Sequence, residues 1–264
     1  MSPSSARAAL FIPLFDELSD PRVAVDLARV AEETGWDGVF VWDHLMYRDP
    51  VERVADPWIV MSAMACATDR ITIGPMVTPV PRRRPQVLAR QTATLDHLSN
   101  GRLVFGVGLG GDPGGELSNF GEEMDPRLRA TLLDDGLEQI DRWWRGEEAH
   151  GVSMRPGPVQ LPRIPIWVAS RYPHRAPVRR AARWDGWFPI NVPAPDALAE
   201  QISYATEHRT ADARPWDVAV QGLHDTDPDP WVDAGATWWL VRFEPFELPA
   251  AHVRAIAQAG PPTR

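Results

Sequence analysis

Short apolar segments alternate with longer amphipathic segments along most of the chain. Residues 71–111 contain one complete instance: an apolar strand, an arginine turn bounded by prolines, an amphipathic helix and a second strand that ends in GVGLGG. Ile71, Ile73 and Val77 are branched residues typical of a buried strand, and leucines at helical spacing mark one face of the helix. This order predicts a βαβ unit with parallel strands.

The sequence predicts eight such pairs of strand and helix. The strands are predicted at residues 9–12, 38–42, 71–77, 103–107, 164–169, 186–190, 217–221 and 237–241. The first helix has Asp20 as its N-cap and Gly35 after its end, and the third begins near Pro85 and is closed by Asn100 and Gly101. The other helices are predicted at residues 56–68, 127–144, 176–184, 195–208, 229–234 and 249–259. Eight pairs in about 250 residues is the size of one (β/α)8 barrel, so we expect an α/β protein with a single domain over residues 1–264.

The composition is that of a soluble globular protein. Hydrophobic residues make up 44% and charged residues 24% of the chain, and no apolar run approaches the ~20 residues of a membrane span. The N-terminal segment MSPSSARAALFIPLF has one arginine and no long apolar stretch ahead of a cleavage site, and its apolar residues are needed for the first strand. We therefore expect a cytoplasmic protein with no membrane partner.

All 27 basic residues are arginine. The absence of lysine excludes Schiff-base aldolases, pyridoxal enzymes and P-loop nucleotide enzymes, because each needs a lysine amine at the reacting centre. The single cysteine, Cys66, cannot form an internal disulfide bond. Its neighbours Met61, Met64 and Ala65 predict a thiol packed in the core rather than a nucleophile.

Charge and histidine spacing narrow the choice of partners. The net charge of −9 disfavours nucleic acid. The one basic run, Arg82 to Arg84, is expected to form a solvated turn at the barrel rim, with a local anion contact as the alternative. The seven histidines are scattered without paired metal spacing, and adjacent strand residues such as Asp43 and His44 point to opposite faces. No metal site is predicted.

Active sites of (β/α)8 barrels lie on the loops that follow the carboxyl ends of the strands. In this chain those positions are mostly apolar and aromatic, with few charges. The candidates for a substrate pocket are Pro13, Phe15, Trp42, Ile190 and Asn191. Such a mouth favours a flat conjugated ligand over a sugar or a metal-bound phosphate.

Gly106, Gly108 and Gly111 satisfy the pattern GxGxxG. In a dinucleotide-binding fold this pattern opens a helix after the first strand, whereas here three strands precede it and Pro113 follows where a helix would start. We expect the glycines to let the backbone lie against a planar ring system, with a merely tight turn as the alternative.

Five segments occur in the order of the barrel strands: GWDGVFVWDHL, ITIGPMVTPVPRRRP, LARQTATLDHLSNGRLVFGVGLGGDPGGELSNFG, PVQLPRIPIWVAS and RRAARWDGWFPI. Together they closely resemble the bacterial luciferase-like monooxygenases, including the branch that depends on coenzyme F420. The resemblance covers nearly the whole chain. It implies a (β/α)8 oxidoreductase that binds FMN or coenzyme F420 at the strand ends, acts on a small organic substrate and forms a homodimer.

The resemblance implies roles for polar residues at three strand ends. His44, beside Asp43, matches the histidine that faces the cofactor and exchanges a proton near the reduced ring; a capping contact with Asp43 is the alternative. Ser170 and Arg171 match the segment whose backbone N–H groups bind the cofactor phosphate ahead of a helix N-terminus. Arg175 is expected either to add charge there or to be a surface helix residue.

Two further strand ends are implied to contact the cofactor ring. Met76, Val77 and Thr78 match the bulged end of the third strand, where a non-proline cis peptide is common in the family. Here that peptide would join Pro75 and Met76 or Met76 and Val77. The matching positions at the end of the fourth strand are Gly106, Val107, Gly108 and Gly110.

One departure from the family is the loop at residues 222–231, which is too short for the usual insertion over the substrate, so we expect an open pocket.

The leading hypothesis is an enzyme in which reduced FMN or F420 passes a hydride to an organic substrate or, with oxygen, monooxygenates it. A flavin or F420 reductase would supply the reduced cofactor. Asp43, His44 and the arginine turn favour F420. The alternatives are a non-catalytic flavin-binding barrel and a nicotinamide-dependent dehydrogenase built on GxGxxG.

Overall fold

A computed structural model describes residues 6–209 and 215–262, so the domain predicted over residues 1–264 extends beyond the described residues. The strands are β1 (Arg7–Ile12), β2 (Gly38–Val41), β3 (Thr72–Pro75), β4 (Thr78–Pro79), β5 (Phe105–Gly108), β6 (Ile166–Arg171), β7 (Gly186–Ile190), β8 (Asp217–Gly222) and β9 (Trp238–Arg242). The α-helices are α1 (Pro21–Glu33), α2 (Pro57–Ala67), α3 (Pro85–Leu98), α4 (Pro126–Trp144), α5 (Arg175–Ala181), α6 (Pro195–Thr206), α7 (Asp229–Asp233) and α8 (Ala250–Ala259).

All neighbouring strands are parallel, and their order is β3-β2-β1-β9-β8-β7-β6-β5-β4. The two ends of this sheet meet at a parallel bridge between Ile73 and Leu103, where the Val104 N–H donates to the Ile73 carbonyl at 2.9 Å. The sheet therefore curls into a nearly closed barrel. An α-helix follows each strand except β3, which β4 continues, and this order confirms the predicted (β/α)8 fold.

The third predicted strand, residues 71–77, is broken in two. β3 pairs with β2, β4 pairs with β5, and the peptide bond between Met76 and Val77 is cis. This is one of the two bonds at which the resemblance places a non-proline cis peptide. Met76 and Val77, the two residues at this break, line the cavity described below.

Three helices begin at the same dipeptide, aspartate followed by proline. The side chains of Asp20, Asp56 and Asp125 accept hydrogen bonds of 2.8 to 3.0 Å from backbone N–H groups in the first turn of α1, α2 and α4. The proline that follows each aspartate fits the first helical position, because its missing N–H would have no partner there. These caps fix where the chain leaves the loops at the barrel mouth and enters the outer helical layer.

Aromatic rings fill the interior of the barrel. The rings of Phe40, Trp167 and Trp238 lie 5.4 to 5.6 Å apart between centroids and are almost fully buried. Gly186 allows this packing, since a Cβ there would lie 2.3 Å from Trp167 Cδ1. The three rings form a floor beneath the carboxyl ends of the strands. A second apolar cluster fills the space between the strands and the helices, where Trp239 is also buried.

The expectation for Cys66 is wrong. Helix α2 buries Trp58, Met61, Met64 and Ala65, whereas Cys66 is exposed. Two residues along a helix correspond to about 200° of rotation, so Cys66 lies on the face opposite Met64. The apolar sequence neighbours indicated a buried helix but not which of its faces carried the thiol.

Candidate active site

A cavity of about 730 Å³ lies at the carboxyl ends of the strands. Its volume is within the range of pockets that hold small organic ligands and cofactors. Eleven of the residues proposed from the sequence line it: Trp42, Asp43, His44, Met76, Val77, Gly108, Gly110, Ser170, Arg171, Ile190 and Asn191. The strand-end positions read from the sequence therefore converge on one space, as the barrel topology requires.

Four other proposed residues lie behind the cavity wall. Phe15 packs under Trp42, with ring centroids 5.7 Å apart, and Thr78 is fully buried. Val107 lies in the apolar cluster between the strands and the helices. Pro13 is also buried and does not line the cavity. These residues can support the wall but do not present their side chains to the space that a ligand would fill.

The remaining two proposals, Gly106 and Arg175, serve other contacts. A Cβ on Gly106 would lie 2.2 Å from the carbonyl oxygen of Pro75, so glycine is needed for strand packing. The Arg175 side chain is 61% exposed and pairs with Glu200 at 3.0 Å. Of the two readings offered for Arg175, the structure supports the surface helix residue.

Two glycines of the GVGLGG segment leave room for neighbouring protein atoms. A Cβ on Gly108 would lie 2.8 Å from Val77 Cγ2, and one on Gly110 would lie 2.8 Å from Pro79 Cβ. They thus allow the broken third strand to approach β5. Residues 109–117 after β5 form a loop rather than a helix, which argues against a dinucleotide fingerprint. Close approach of a ligand ring to these glycines stays a prediction.

Asp43 anchors a buried ionic network. Its carboxylate accepts hydrogen bonds from Thr78 Oγ1 at 2.7 Å, from Arg82 Nη2 at 3.1 Å and from Arg83 Nη2 at 2.8 Å. The Arg82 side chain is only 3% exposed. The expectation of a solvated arginine turn is therefore wrong for Arg82 and Arg83, because each is held by a buried acid, whereas Arg84 is exposed.

Glu116 extends this network to His44. Its Oε1 lies 2.8 Å from His44 Nδ1, and its Oε2 accepts from the Leu45 N–H at 3.0 Å and lies 2.7 Å from Arg82 Nη1. Because Glu116 accepts at Nδ1, the Nε2 atom is the ring nitrogen available to a ligand. This pairing, rather than a capping contact with Asp43, is the contact that His44 makes.

The Glu116 carboxylate is held in its ionised form. Burial would raise its pKa, but the hydrogen bond and charge of His44, the Leu45 N–H and the charge of Arg82 outweigh burial and lower the pKa below its usual value. An ionised Glu116 requires a proton on His44 Nδ1. The pair therefore has the arrangement of an oriented imidazole whose second nitrogen can take or give a proton.

A glycine brings these two residues together. Gly114 lies so close to the loop after β2 that a Cβ would be 2.8 Å from the carbonyl carbon of Tyr47. The loop that carries Glu116 can therefore rest directly on the backbone that carries His44. Within the loop, Asp112 Oδ1 accepts from the N–H groups of Leu117 and Ser118, which fixes the turn around Glu116.

The guanidinium of Arg171 gives the far rim of the cavity a positive charge. Arg171 and His174 line it, and no ion pair involves either side chain within the described residues. Arg180 also lines the cavity, but its guanidinium is bound by Asp134 through two hydrogen bonds.

The Ser170 hydroxyl accepts from Trp187 Nε1 at 2.7 Å. α5 begins at Arg175, one residue earlier than predicted, and is seven residues long.

The sequence interpretation missed Glu116, Arg82 and Tyr47, all of which line or border the cavity. Glu116 could have been noticed as an acidic residue in the glycine-rich loop after the fourth strand.

Over residues 6–209 and 215–262, the structure brings together no group of three or more His, Cys, Asp or Glu side chains suited to a metal. Over the same ranges, no helix combines the length and apolar character needed to cross a membrane.

Eight parallel strand positions around a closed aromatic floor, with a ligand-sized cavity at the carboxyl ends, place the protein in the class of TIM-barrel proteins. Residues 7–231 match the family described as luciferase-like monooxygenase, and the chain belongs to that family.

Three relatives illustrate the range of the family. An uncharacterised protein of Mycobacterium bovis is 33% identical over 212 residues, which span 72% of this chain and 70% of the relative. The F420-dependent glucose-6-phosphate dehydrogenase of Gordonia bronchialis is 30% identical over 231 residues, 81% of this chain and 67% of the relative. The 4-hydroxyprotoasukamycin monooxygenase of Streptomyces nodosus is 26% identical over 95% of this chain and 74% of its own.

Two solved structures share the fold over almost their whole length. The monooxygenase RslO1 of Streptomyces bottropensis superposes with a TM-score of 0.78 at 19% identity, covering 96% of both chains. The coenzyme F420-dependent tetrahydromethanopterin reductase of Methanopyrus kandleri gives a TM-score of 0.74 at 17% identity, covering 97% of this chain and 99% of its own. At these identities the likeness establishes the barrel alone.

Proposed function

We propose that this protein is an oxidoreductase that uses reduced coenzyme F420 or FMN to reduce or monooxygenate a small organic substrate. The observation that carries the proposal is the contact of 2.8 Å between His44 Nδ1 and Glu116 Oε1 at the wall of the cavity. It is supported by relatives named for F420-dependent and monooxygenase activities. The cavity residues fit a cofactor of this type.

The fit rests on the chemistry of the two sides of the cavity. Met76, Val77 and Leu109 give an apolar surface beside the ends of β4 and β5, which suits a flat ring system. Arg171 and His174, on the far rim, suit the phosphate that both cofactors carry. A bound F420 would supply hydride transfer, and a bound FMN would supply hydride transfer or oxygen activation.

The side chains of this network have distinct roles in the proposal. His44 Nε2 takes or donates the proton that accompanies the redox step, and Glu116 orients the imidazole. Arg82 keeps Glu116 ionised and in place.

Equilibrium binding of F420 and of FMN to the apoprotein, followed by fluorescence, tests the proposal. We expect binding of one of them, and His44→Ala to lower turnover at least about 100-fold while changing cofactor affinity much less. His97→Ala is a matched control, because His97 lies on α3 and bonds the Gly157 carbonyl away from the cavity. Failure of both cofactors to bind would reject the proposal and favour a non-catalytic barrel.

The family membership motivates three further parts of the proposal. We expect a homodimer, a cytoplasmic location and, if FMN is the cofactor, a flavin reductase that supplies it in reduced form. Sedimentation equilibrium of the purified protein tests the first. Turnover that requires added reductase would support the flavin reductase. Full turnover with chemically reduced FMN and no reductase would contradict a need for direct contact between the two proteins.

A further inference from the structure

Four aromatic side chains form a continuous surface from the barrel interior to the loop after β2. We call Phe188, Phe11, Trp42 and Tyr47 the aromatic surface, and all four line the cavity. Successive ring centroids lie 5.6, 5.5 and 6.1 Å apart along this series. The spacing is that of interacting aromatic pairs, so the surface is one contiguous apolar area.

The aromatic surface ends at the proposed proton-transfer residue. The centroid of His44 lies 5.0 Å from that of Tyr47 and 5.9 Å from that of Trp42. A molecule stacked on Trp42 or Tyr47 would therefore have an atom near the imidazole. Val220 and Phe243 also line the cavity and add apolar area from β8 and the loop after β9.

Three of the four arginines near this surface are paired with carboxylates, and the fourth, Arg48, lies over aromatic rings. Arg82 and Arg83 are bound by Asp43, Arg242 is paired with Glu244, and the Arg48 guanidinium lies over the rings of Tyr47 and Phe246, 5.8 and 5.1 Å from their centroids. A sugar phosphate needs free cations for its two negative charges and hydrogen-bond partners for its hydroxyl groups. Among the described residues, this side of the cavity offers aromatic faces instead.

We infer that the substrate is an uncharged planar aromatic molecule that stacks on Trp42 or Tyr47 beside His44 and meets the other of the two rings with its edge, because their planes are 66° apart. This inference rests on the proposed function, in which the cofactor occupies the side of the cavity at the ends of β4 and β5. Burial of aromatic faces on one another is favourable, whereas burial of an unpaired phosphate against the same surface is costly. The inferred substrate distinguishes this protein from the relative whose name specifies glucose 6-phosphate.

The test uses 2-naphthol as the probe and glucose 6-phosphate as the competitor, in equilibrium dialysis against protein saturated with whichever cofactor binds. If neither cofactor binds, the apoprotein is used. Trp42→Leu and Tyr47→Leu remove one ring each from the aromatic surface. Phe120→Leu is the matched control, because Phe120 is 60% exposed and does not line the cavity.

We expect 2-naphthol to bind, and its affinity to fall about tenfold, or ~1.4 kcal/mol, in each cavity variant but not in the control. Glucose 6-phosphate at the same concentration is expected not to compete. Tyr47 is only partly buried, so its variant is informative even if Trp42→Leu does not fold.

The inference would be overturned by no binding of 2-naphthol, by its displacement by glucose 6-phosphate, or by equal affinity in the wild type and both cavity variants. Release of the cofactor by 2-naphthol would also overturn it, since the aromatic surface would then belong to the cofactor. If 2-naphthol binds at this surface but no cofactor binds, the proposed function fails while the aromatic site stands.

Discussion

Arg82 bridges two buried carboxylates that come from different loops. Its Nη1 lies 2.7 Å from Glu116 Oε2, and its Nη2 lies 3.1 Å from Asp43 Oδ1. Asp43 follows β2, Arg82 follows β4, and Glu116 follows β5. One guanidinium therefore ties together three of the loops at the barrel mouth, and His44 depends on it through Glu116.

Arg82→Gln is expected to destabilise the protein by roughly 3 kcal/mol, because it leaves buried carboxylates with too little positive charge. The pKa of Glu116 is expected to rise in the same variant, since one of the charges that lowers it is lost. Urea unfolding of the wild type and variant measures the change.

Arg84→Gln is the matched control for this prediction, because Arg84 belongs to the same arginine run but is exposed. Its free energy of unfolding is expected to stay within about 0.5 kcal/mol of the wild-type value. Equal losses in the two variants would show that the ionic network contributes nothing specific to stability.

Stability is expected to depend on the ionisation of Glu116 at acidic pH. Because the pKa of this carboxyl is lowered on folding, its contribution is fully present above the unfolded-state pKa of about 4.3 and is lost as pH falls through the lower folded-state pKa. The difference in unfolding free energy between the wild type and Glu116→Gln is therefore expected to shrink as pH is lowered from 6 to 3. A difference that stays constant over this range would contradict the lowered pKa.

Gly114→Ala is expected to separate the two loops that carry His44 and Glu116. The new Cβ would lie 2.8 Å from backbone atoms of Tyr47, which cannot rotate away. We expect turnover to fall at least about tenfold with little loss of cofactor affinity, because the imidazole loses its orienting partner. Steady-state kinetics and cofactor titration measure the two effects.

Gly111→Ala provides the comparison within the same loop. A Cβ at Gly111 would meet only Pro113 Cδ, at an ordinary contact distance of 3.5 Å. Turnover close to the wild-type value is expected. If Gly114→Ala were equally active, close contact between the loops would not be needed for the reaction.

Arg102 is expected to contribute to stability without affecting the site. Its guanidinium donates to the carbonyl oxygens of Ala65, Thr68, Ile71 and Ser99, which joins the ends of α2 and α3 to the start of β3. Arg102→Met is expected to cost about 3 kcal/mol, because several partly buried carbonyls lose their donor. Calorimetry measures the loss.

Cofactor affinity in the folded fraction of Arg102→Met is expected to match the wild type, because the contacts lie at the amino ends of the strands. Arg145→Met, which removes an exposed pair with Asp141, serves as the control with a small expected effect. Weakened cofactor binding in Arg102→Met alone would indicate that the two ends of the barrel are coupled.

The barrel could be predicted from the sequence because its signals are local. Apolar runs, the aspartate and proline that open helices, and the Asn100 and Gly101 that close one lie within a few residues of the elements they define. The break in the third strand has no comparable local signal, and only the family resemblance indicated where a cis peptide would fall.

The site could be predicted only in part for a related reason. Strand-end positions follow from the topology, so His44 and Asp43 were found, but their partners are remote in sequence. Glu116 lies 72 residues after His44, and Arg82 lies 39 residues after Asp43. No spacing rule connects such pairs, and an arginine that binds a buried acid looks in the sequence like one that faces water.

The aromatic floor limits the route by which a ligand can enter and leave the cavity. Because Phe40, Trp167 and Trp238 close the barrel below the cavity, a ligand can enter and leave only through the mouth. Where two ligands share this cavity, both need the same opening for entry and release, because three buried rings close its other end.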